Sequence, residues 1–542
     1  MQPQAHKLHK LFLRSNHPSR RTAAPEPAMA ADLLLALLLA IIPLIILLFF
    51  ATRRRSPRNP GTGIAVRLPP GPWALPVIGH LHHLAAAGAL PHRALRDLAR
   101  RHGALMSLRL GELPVMVASS PAAAREIMKT HDSTFASRPI SPMQELAYQG
   151  SHGVIFAPYG EGWRQLRKIC ALELLSARRV ASFRGVREDE ARRLLRSVAA
   201  AAAAAARSPV NLSELVAAFV ADSTVRAIIG SRFDRRDEYL RMLQEGLKIV
   251  PGMTLPDLFP SSRLARLVSR APAQIERHRN GMLEFIDDII AEHRESRKSG
   301  EDNDDEDLLD VLLRLQKEVD SQYPLTTENI KTVMLDMFGA GSETSATTLQ
   351  WAMAELMRNP RVMQKTQDEV RRALSGDGKV KEDKLGNLHY LPLVIKETLR
   401  LHPPAPLLLP RRCGSPCQVL GFDIPEGTMV IVNAWAIGRD PAHWEEPDEF
   451  MPERFEDGGR DFRGLDFEFI PFGAGRRMCP GMAFGLAHIE LALAALLFHF
   501  DWELPGGTAA EELDLTEAFG VTTQLRSDLV VVPIPRFPVS TG

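Results

Sequence analysis

The segment Pro471 to Gly481, PFGAGRRMCPG, sets a single cysteine, Cys479, among three glycines and two arginines, directly before the apolar stretch GMAFGLAHIELALAALLFHF. A cysteine that only fills core needs no basic neighbours. A zinc site needs companion ligands at fixed spacing, and a nucleophile needs a base. The stretch that follows reads as a helix, so a thiol near its start faces unpaired backbone N–H groups and the positive end of the helix dipole. Both favour thiolate, and Arg476 and Arg477 add positive charge. Gly473, Gly475 and Gly481 let the backbone curl around the sulfur.

The rest of the chain narrows the choice. It has 542 residues, a length that suggests more than one domain unless the fold is a large one. Hydrophobic content of 45% and charged content of 24% suit a globular protein with a sizeable core, and a net charge of +1 gives no reason to expect nucleic acid as a partner. Four cysteines, Cys170, Cys413, Cys417 and Cys479, make no disulfide scaffold and fit a reducing, cytosol-facing compartment. Cys413 and Cys417 form a lone CxxxC, read as structural.

An uninterrupted apolar run from Leu33 to Ala51 is followed at once by TRRRSPR. At 1.5 Å per residue it reaches close to about 30 Å, enough to cross a bilayer as one transmembrane anchor helix. It exceeds the apolar core of a signal peptide, and no small-residue cleavage site follows. Basic residues lie on both sides, which weakens the orientation signal. A start at Met29 would leave the nearby basic charge on the C-terminal side and the body in the cytosol. The expected organisation is a disordered upstream extension over 1–28, an anchor over 29–52, a basic, Pro-rich hinge over 53–72 and a single catalytic domain over 73–542. Pro69, Pro70 and Pro72 stiffen the hinge. His80, His82 and His83 lack a distant ligand set and are not read as a metal site.

The body reads mostly as helix. ARRLLRSVAAAAAAAAR is strongly helix-forming, and the acidic run EDNDDED at 301–307 reads as a solvated loop. Strand-like stretches are few: LMSLRLGELPVMVAS, QVLGFDIPEGTMVIVNAW and DLVVVPIP. The fold expected is mainly α with small peripheral β-sheets. A long helix is expected from about Thr327 to Arg358, capped at Thr326 or Thr327 and ended by Pro360. Its middle, GAGSETS, is weakened by Gly339 and Gly341, at about 1 kcal/mol each relative to Ala. That leaves either a groove against something flat or a close helix crossing.

For Cys479, with no second ligand at zinc spacing, one thiolate must suffice. A macrocycle that already gives four nitrogens to iron asks for one. Here the sequence resembles a known family. FGAGRRMCPG matches the cytochrome P450 haem-binding signature F-x-x-G-x-R-x-C-x-G at every fixed position. ETLR (Glu397, Arg400) resembles the family's E-x-x-R, PERF (Pro452 to Phe455) its partner motif, AGSET (Ala340 to Thr344) its oxygen-binding groove, and WRQLR (Trp163, Arg167) its W-x-x-x-R. The likeness runs from about Leu68 to the end, and anchor, PPGP and PERF together look like the plant microsomal A-type branch.

The resemblance implies a haem-thiolate monooxygenase with Cys479 as the axial iron ligand and Phe472 in the loop that holds the cofactor. Trp163, Arg167, Arg411 and Arg477 would face the haem propionates, Arg411 being the weakest choice because Arg412 is adjacent. Thr344, with Glu343 beside it, would relay protons during O2 activation. Glu397, Arg400 and Arg454 would form a buried ion triad serving fold and haem retention. No G-x-G-x-x-G follows a strand, so electrons from NADPH would arrive through a separate reductase, NADPH-cytochrome P450 reductase, docking on basic residues such as Arg164, Lys168 and Arg476. Location would be the endoplasmic reticulum membrane. The pocket would be lined by residues 138–159, 336–340, 405–409 and 519–522, with Asp336 a polar contact for an oxygenated guest. The substrate expected is an apolar plant specialised metabolite, a terpenoid such as a diterpene. Phenylpropanoid or fatty-acid oxidation, a haem-thiolate isomerase or dehydratase, and a non-catalytic haem- or lipid-binding membrane protein are the rivals. An intact AGSET argues against the last three, because neither rearrangement nor binding needs a proton relay.

Overall fold

The computed structural model describes residues 67–539, apart from 87–89, 152, 205–206, several positions between 231 and 252, 300–305, 318–323 and 375–379. The extension, the anchor and most of the hinge therefore lie outside the described residues.

The main helices are α1 (Pro91–His102), α2 (Glu161–Ile169), α3 (Arg184–Ala204), α4 (Leu212–Ile229), α5 (Ala271–Ser299), α6 (Leu308–Lys317), α7 (Thr327–Arg358), α8 (Pro360–Leu374), α9 (Tyr390–Leu401) and α10 (Met482–His499). The strands are β1 (Leu105–Leu110), β2 (Leu113–Ala118), β3 (Val210–Asn211), β4 (Arg411–Arg412), β5 (Cys417–Val419), β6 (Phe422–Ile424), β7 (Met429–Val432), β8 (Phe500–Glu503), β9 (Glu517–Phe519), β10 (Thr523–Leu525) and β11 (Val530–Pro535). The largest sheet has the order β1-β2-β7-β4, with β2 and β7 parallel in the register Val115↔Met429. Its β1–β2 hairpin turns at Gly111, where φ is +62° and a side chain would run into the backbone of Leu258. A second sheet runs β3-β11-β8, and β5–β6 and β9–β10 are isolated pairs.

α7 and α10 form the centre. Along α7, Leu349 and the run from Trp351 to Leu356 are buried, and along α10 so is every residue from Leu491 to His499. Helices apolar on all faces belong in a core. α10 is long and apolar enough to cross a membrane, yet most of it is packed inside the protein. α7 starts and stops for local reasons: Thr326 and Asn329 cap each other's backbone N–H, and Pro360 opens α8. The chain continues as helix through Ala340 to Thr344. At Gly341 a Cβ would lie 3.2 Å from Cγ2 of Thr224 on α4 and 3.7 Å from the Phe484 ring on α10, so this glycine serves a close three-helix crossing.

The ion triad takes shape between α9 and the turn Pro452–Phe455. Arg400 donates to both Glu397 oxygens (2.7 and 2.8 Å), and Arg454 Nε donates to Oε1 (3.0 Å). The remaining Arg400 N–H groups reach the carbonyls of Gly438, Pro447 and Glu449. One expectation changes. Asp307, last of the acidic run, is not solvated: it is buried and caps α6, accepting the Asp310 N–H at 2.8 Å. His80 and His83 place ring nitrogens on the carbonyls of Pro72 and Trp73 (3.0 and 2.9 Å).

Candidate functional site

The Cys479 loop is a tight reversal in front of α10. Gly473 and Gly475 both have φ +68°, a region costly for other residues. Cys479 N–H donates to the Phe472 carbonyl (2.9 Å) and Met478 N–H to the Gly475 carbonyl (3.0 Å). The Phe472 ring stands edge-on to Phe462, with centroids 5.2 Å apart. A side chain at Gly475 would press on the Met128 carbonyl and come within 2.6 Å of Asp132 Oδ1.

Asp132 was not legible in the sequence, and it organises this loop. Buried, it accepts from the Arg476 N–H and Nη1 (both 2.9 Å) on one oxygen and from Arg411 Nη1 (3.2 Å) on the other. Arg476 is thereby turned to Asp132 instead of the sulfur. Cys479 itself is exposed, yet burial pushes its thiol pKa up; the Gly481 N–H and Arg167 oppose this more weakly. The helix start and the loop arginines were expected to favour a thiolate; burial opposes them, and the guanidinium that acts on the sulfur is that of Arg167.

Around the loop four guanidiniums converge. Arg167 donates to the Met478 carbonyl (2.5 Å). Arg411 donates to Asp132 and to the Ala474 carbonyl (2.7 Å), and strand alternation buries it while exposing Arg412, which resolves that ambiguity. Arg477 is buried over the Trp163 ring (4.1 Å) and donates to the carbonyls of Ala136 (2.6 Å), Val154 (3.2 Å) and Ala157. The Trp163 indole, expected to face a propionate, donates its one N–H to the Val154 carbonyl (3.0 Å). Arg138 is the member that sequence reasoning placed only in a lining segment. It donates to the carbonyls of Ile155, Leu409 and Pro410. Burial, then Arg411, Arg477 and Arg167, push its pKa well down. Burial, then Arg411 and Arg167, bring Arg477 to about 9. Among the described residues, one carboxylate, Asp132, pairs with this cluster.

The centre of α7 holds the remaining candidates. Thr344 Oγ1 donates to the Ala340 carbonyl (2.8 Å). Glu343 faces away from it: Oε1 accepts from Thr522 (2.6 Å) and Gln524 (2.9 Å), while Oε2 is buried with no hydrogen-bond partner. Burial raises the Glu343 pKa. Asp336 is not free to greet a guest. Its Oδ2 accepts the N–H groups of Val154 (2.7 Å) and Ile155 (3.1 Å), fixing that loop to α7.

The cytochrome P450 family profile matches residues 69–528. The chain belongs to the cytochrome P450 family. It is 49% identical over 470 residues to desmethyl-deoxy-podophyllotoxin synthase of Sinopodophyllum hexandrum, covering 86% of this chain and 92% of that one. It is 48% identical over 474 residues to dolabradiene monooxygenase of Zea mays, covering 87% and 93%. A zebrafish cytochrome P450 structure with abiraterone superposes with a TM-score of 0.69 at 25% identity, covering 82% of this chain and 99% of the other. As a cytochrome P450 the protein is a monooxygenase that uses haem, with O2 and with NADPH through a reductase, and acts on small hydrophobic molecules. The residues present fit the cofactor. A lone thiol is exposed at the loop, and beside it desolvated guanidiniums outnumber carboxylates, as two propionates require.

Proposed function

We propose that Cys479 ligates the haem iron and that Arg138, Arg167, Arg411 and Arg477 hold the propionates. Trp163 steadies Arg477 through its ring face, and Phe472 packs the loop. Haem supplies the oxygen chemistry when bound; the chain supplies orientation and protons. Thr344 Oγ1 is the hydroxyl that passes a proton, and the buried Glu343 carboxyl, held by Thr522 and Gln524, is the acidic group beside it on α7. The observation that carries this reading is the excess of buried guanidinium around one accessible thiol.

The substrate is a terpenoid, with a diterpene hydrocarbon the first choice. Support comes from the relatives: besides dolabradiene monooxygenase, germacrene A hydroxylase of Barnadesia spinosa is 46% identical over 464 residues. A podophyllotoxin-type substrate is the second reading, favoured by the 49% identical synthase. The protein works at the endoplasmic reticulum membrane, its body in the cytosol. Exposed Leu264, Leu267 and Val268 on the short helix Arg263–Val268 suit such a surface. Exposed Lys168, beside Arg164 and Arg476, marks the face for the reductase. Microsomes carrying the protein and a plant NADPH-cytochrome P450 reductase test the substrate. Mono-oxygenated products from labdane- or kaurane-type hydrocarbons support the first choice. Oxidation of podophyllotoxin-type precursors alone would replace it with the second.

A further inference from the structure

Away from the haem site, the CxxxC motif gains a meaning that its spacing did not show. Cys413 follows β4 directly. Its N–H donates to the Thr428 carbonyl (2.9 Å), and its carbonyl accepts from Gly427 (2.8 Å), so its backbone is fixed. Its side chain is fully buried in apolar surroundings. The Cys413 sulfur donates to the Ser415 carbonyl (3.0 Å) and reaches the Ile424 carbonyl (3.8 Å). Ile424 is the register partner of Cys417 in the β5–β6 hairpin, which brings the two sulfurs to one spot. There both side chains pack in the same apolar cluster. A thiol is a weak donor and a weak acceptor, so such a pairing adds little stability, and two small apolar residues would pack as well.

The two members differ in access. Cys417 is half-buried, and Gly414, Ser415 and Pro416, which join it to Cys413, are all exposed. The neighbouring Cys413 lowers the Cys417 pKa, whereas Cys417 and burial raise that of Cys413. One sulfur is thus open and more acidic, and the other is held behind it. That is the arrangement of an attacking and a resolving cysteine.

We propose that Cys413 and Cys417 form a reversible dithiol–disulfide site that exchanges with small disulfides such as glutathione disulfide. The Cys417 thiolate attacks one glutathione sulfur, an S–S bond forms, and one glutathione leaves as thiolate and takes a proton. Cys413 then attacks the Cys417 sulfur, loses its proton to solvent, and expels the second glutathione. Two protein thiols are oxidised and one glutathione disulfide is reduced to two thiols. In a cytosol-facing protein such a bond is a transient, redox-sensing one and not a permanent staple.

The test uses full-length, haem-loaded protein, reduced and then incubated with glutathione disulfide before its remaining thiols are alkylated and the digest is weighed. The wild type takes up two fewer alkyl groups than the reduced control. Its peptide spanning residues 413–417 is lighter by two hydrogen atoms, and dithiothreitol reverses both changes. Cys413→Ser traps a glutathione adduct on Cys417. Cys417→Ser leaves Cys413 without bridge or adduct, because the buried sulfur cannot be reached. Wild-type protein in which both cysteines remain alkylatable, or in which Cys417 keeps its glutathione without bridging, would overturn the proposal. So would an adduct on Cys413 in Cys417→Ser.

Discussion

The chemistry of the site depends on individual side chains whose neighbours set their state. Thr344 is one hydroxyl on a continuous helix, and removing it leaves the thiol, the guanidiniums and the fold in place. Thr344→Ala is expected to bind haem normally while product formed per NADPH falls at least about tenfold, with the electrons appearing as peroxide. Measuring product, NADPH and peroxide together checks this; unchanged coupling would remove Thr344 from the proton path. Asp132 makes the opposite case. Among the described residues it is the one carboxylate paired with Arg411 and with the backbone of the Cys479 loop. Asp132→Asn should cost about 3–5 kcal/mol, since it strands a buried guanidinium. Denaturant midpoints and haem content of the purified variant measure it, and a loss within about 1 kcal/mol would contradict the role given to Asp132. Cys479, the glycines around it and Arg477 were legible because their spacing is local. Asp132 and Arg138 were not, because each acts on groups hundreds of residues away, and HDSTFASR carries no pattern that announces this. Which charge acts on Cys479 was hidden for a related reason: sequence shows charges, but burial and geometry decide which of them count.

Between elements, buried polar contacts fix how α7 and α9 sit. The Glu397–Arg400–Arg454 triad was readable from ETLR and PERF because a three-residue spacing places two side chains on one helical face. Glu397→Gln leaves two buried guanidiniums without their anion, and a loss of about 3–5 kcal/mol with reduced haem retention is expected in chemical denaturation. Asp336 links α7 to the loop at Val154 and gives a pH signature. Burial raises its pKa to about 7, against the pull of the Val154 and Ile155 N–H groups. Unfolded, it would titrate near about 3.9. Between these values the native protein binds the extra proton, so this group's contribution favours folding below about pH 4 and is lost as pH rises to 7. Asp336→Asn should flatten that part of the stability–pH curve, read from denaturant midpoints at each pH. An unaltered slope would show that Asp336 is ionised throughout. The ends of α7 were visible as a threonine cap and a proline. Strands β3, β4, β8, β9 and β10 were missed because two to four residues hold no periodicity, and FDWE continues the apolar run of α10 without a break.

Across the whole molecule, helices apolar on every face, small sheets at the margin and an exposed thiol beside buried guanidiniums describe one machine for holding a flat, anionic cofactor. The mainly α architecture followed from composition and from the scarcity of strand patterns. The guanidinium cluster did not, because it is assembled from the segment at Arg138, from α2, from β4 and from the Cys479 loop. The central claim is that the Cys479 sulfur is the iron ligand in that cradle. It is tested most directly by reducing the haem-loaded protein, adding carbon monoxide and recording the Soret band for the wild type and for Cys479→Ala. The account predicts the red-shifted band of a thiolate-bound haem in the wild type and its absence in the variant. A folded, haem-loaded wild type without that band, or a variant that keeps it, would contradict the assignment of Cys479.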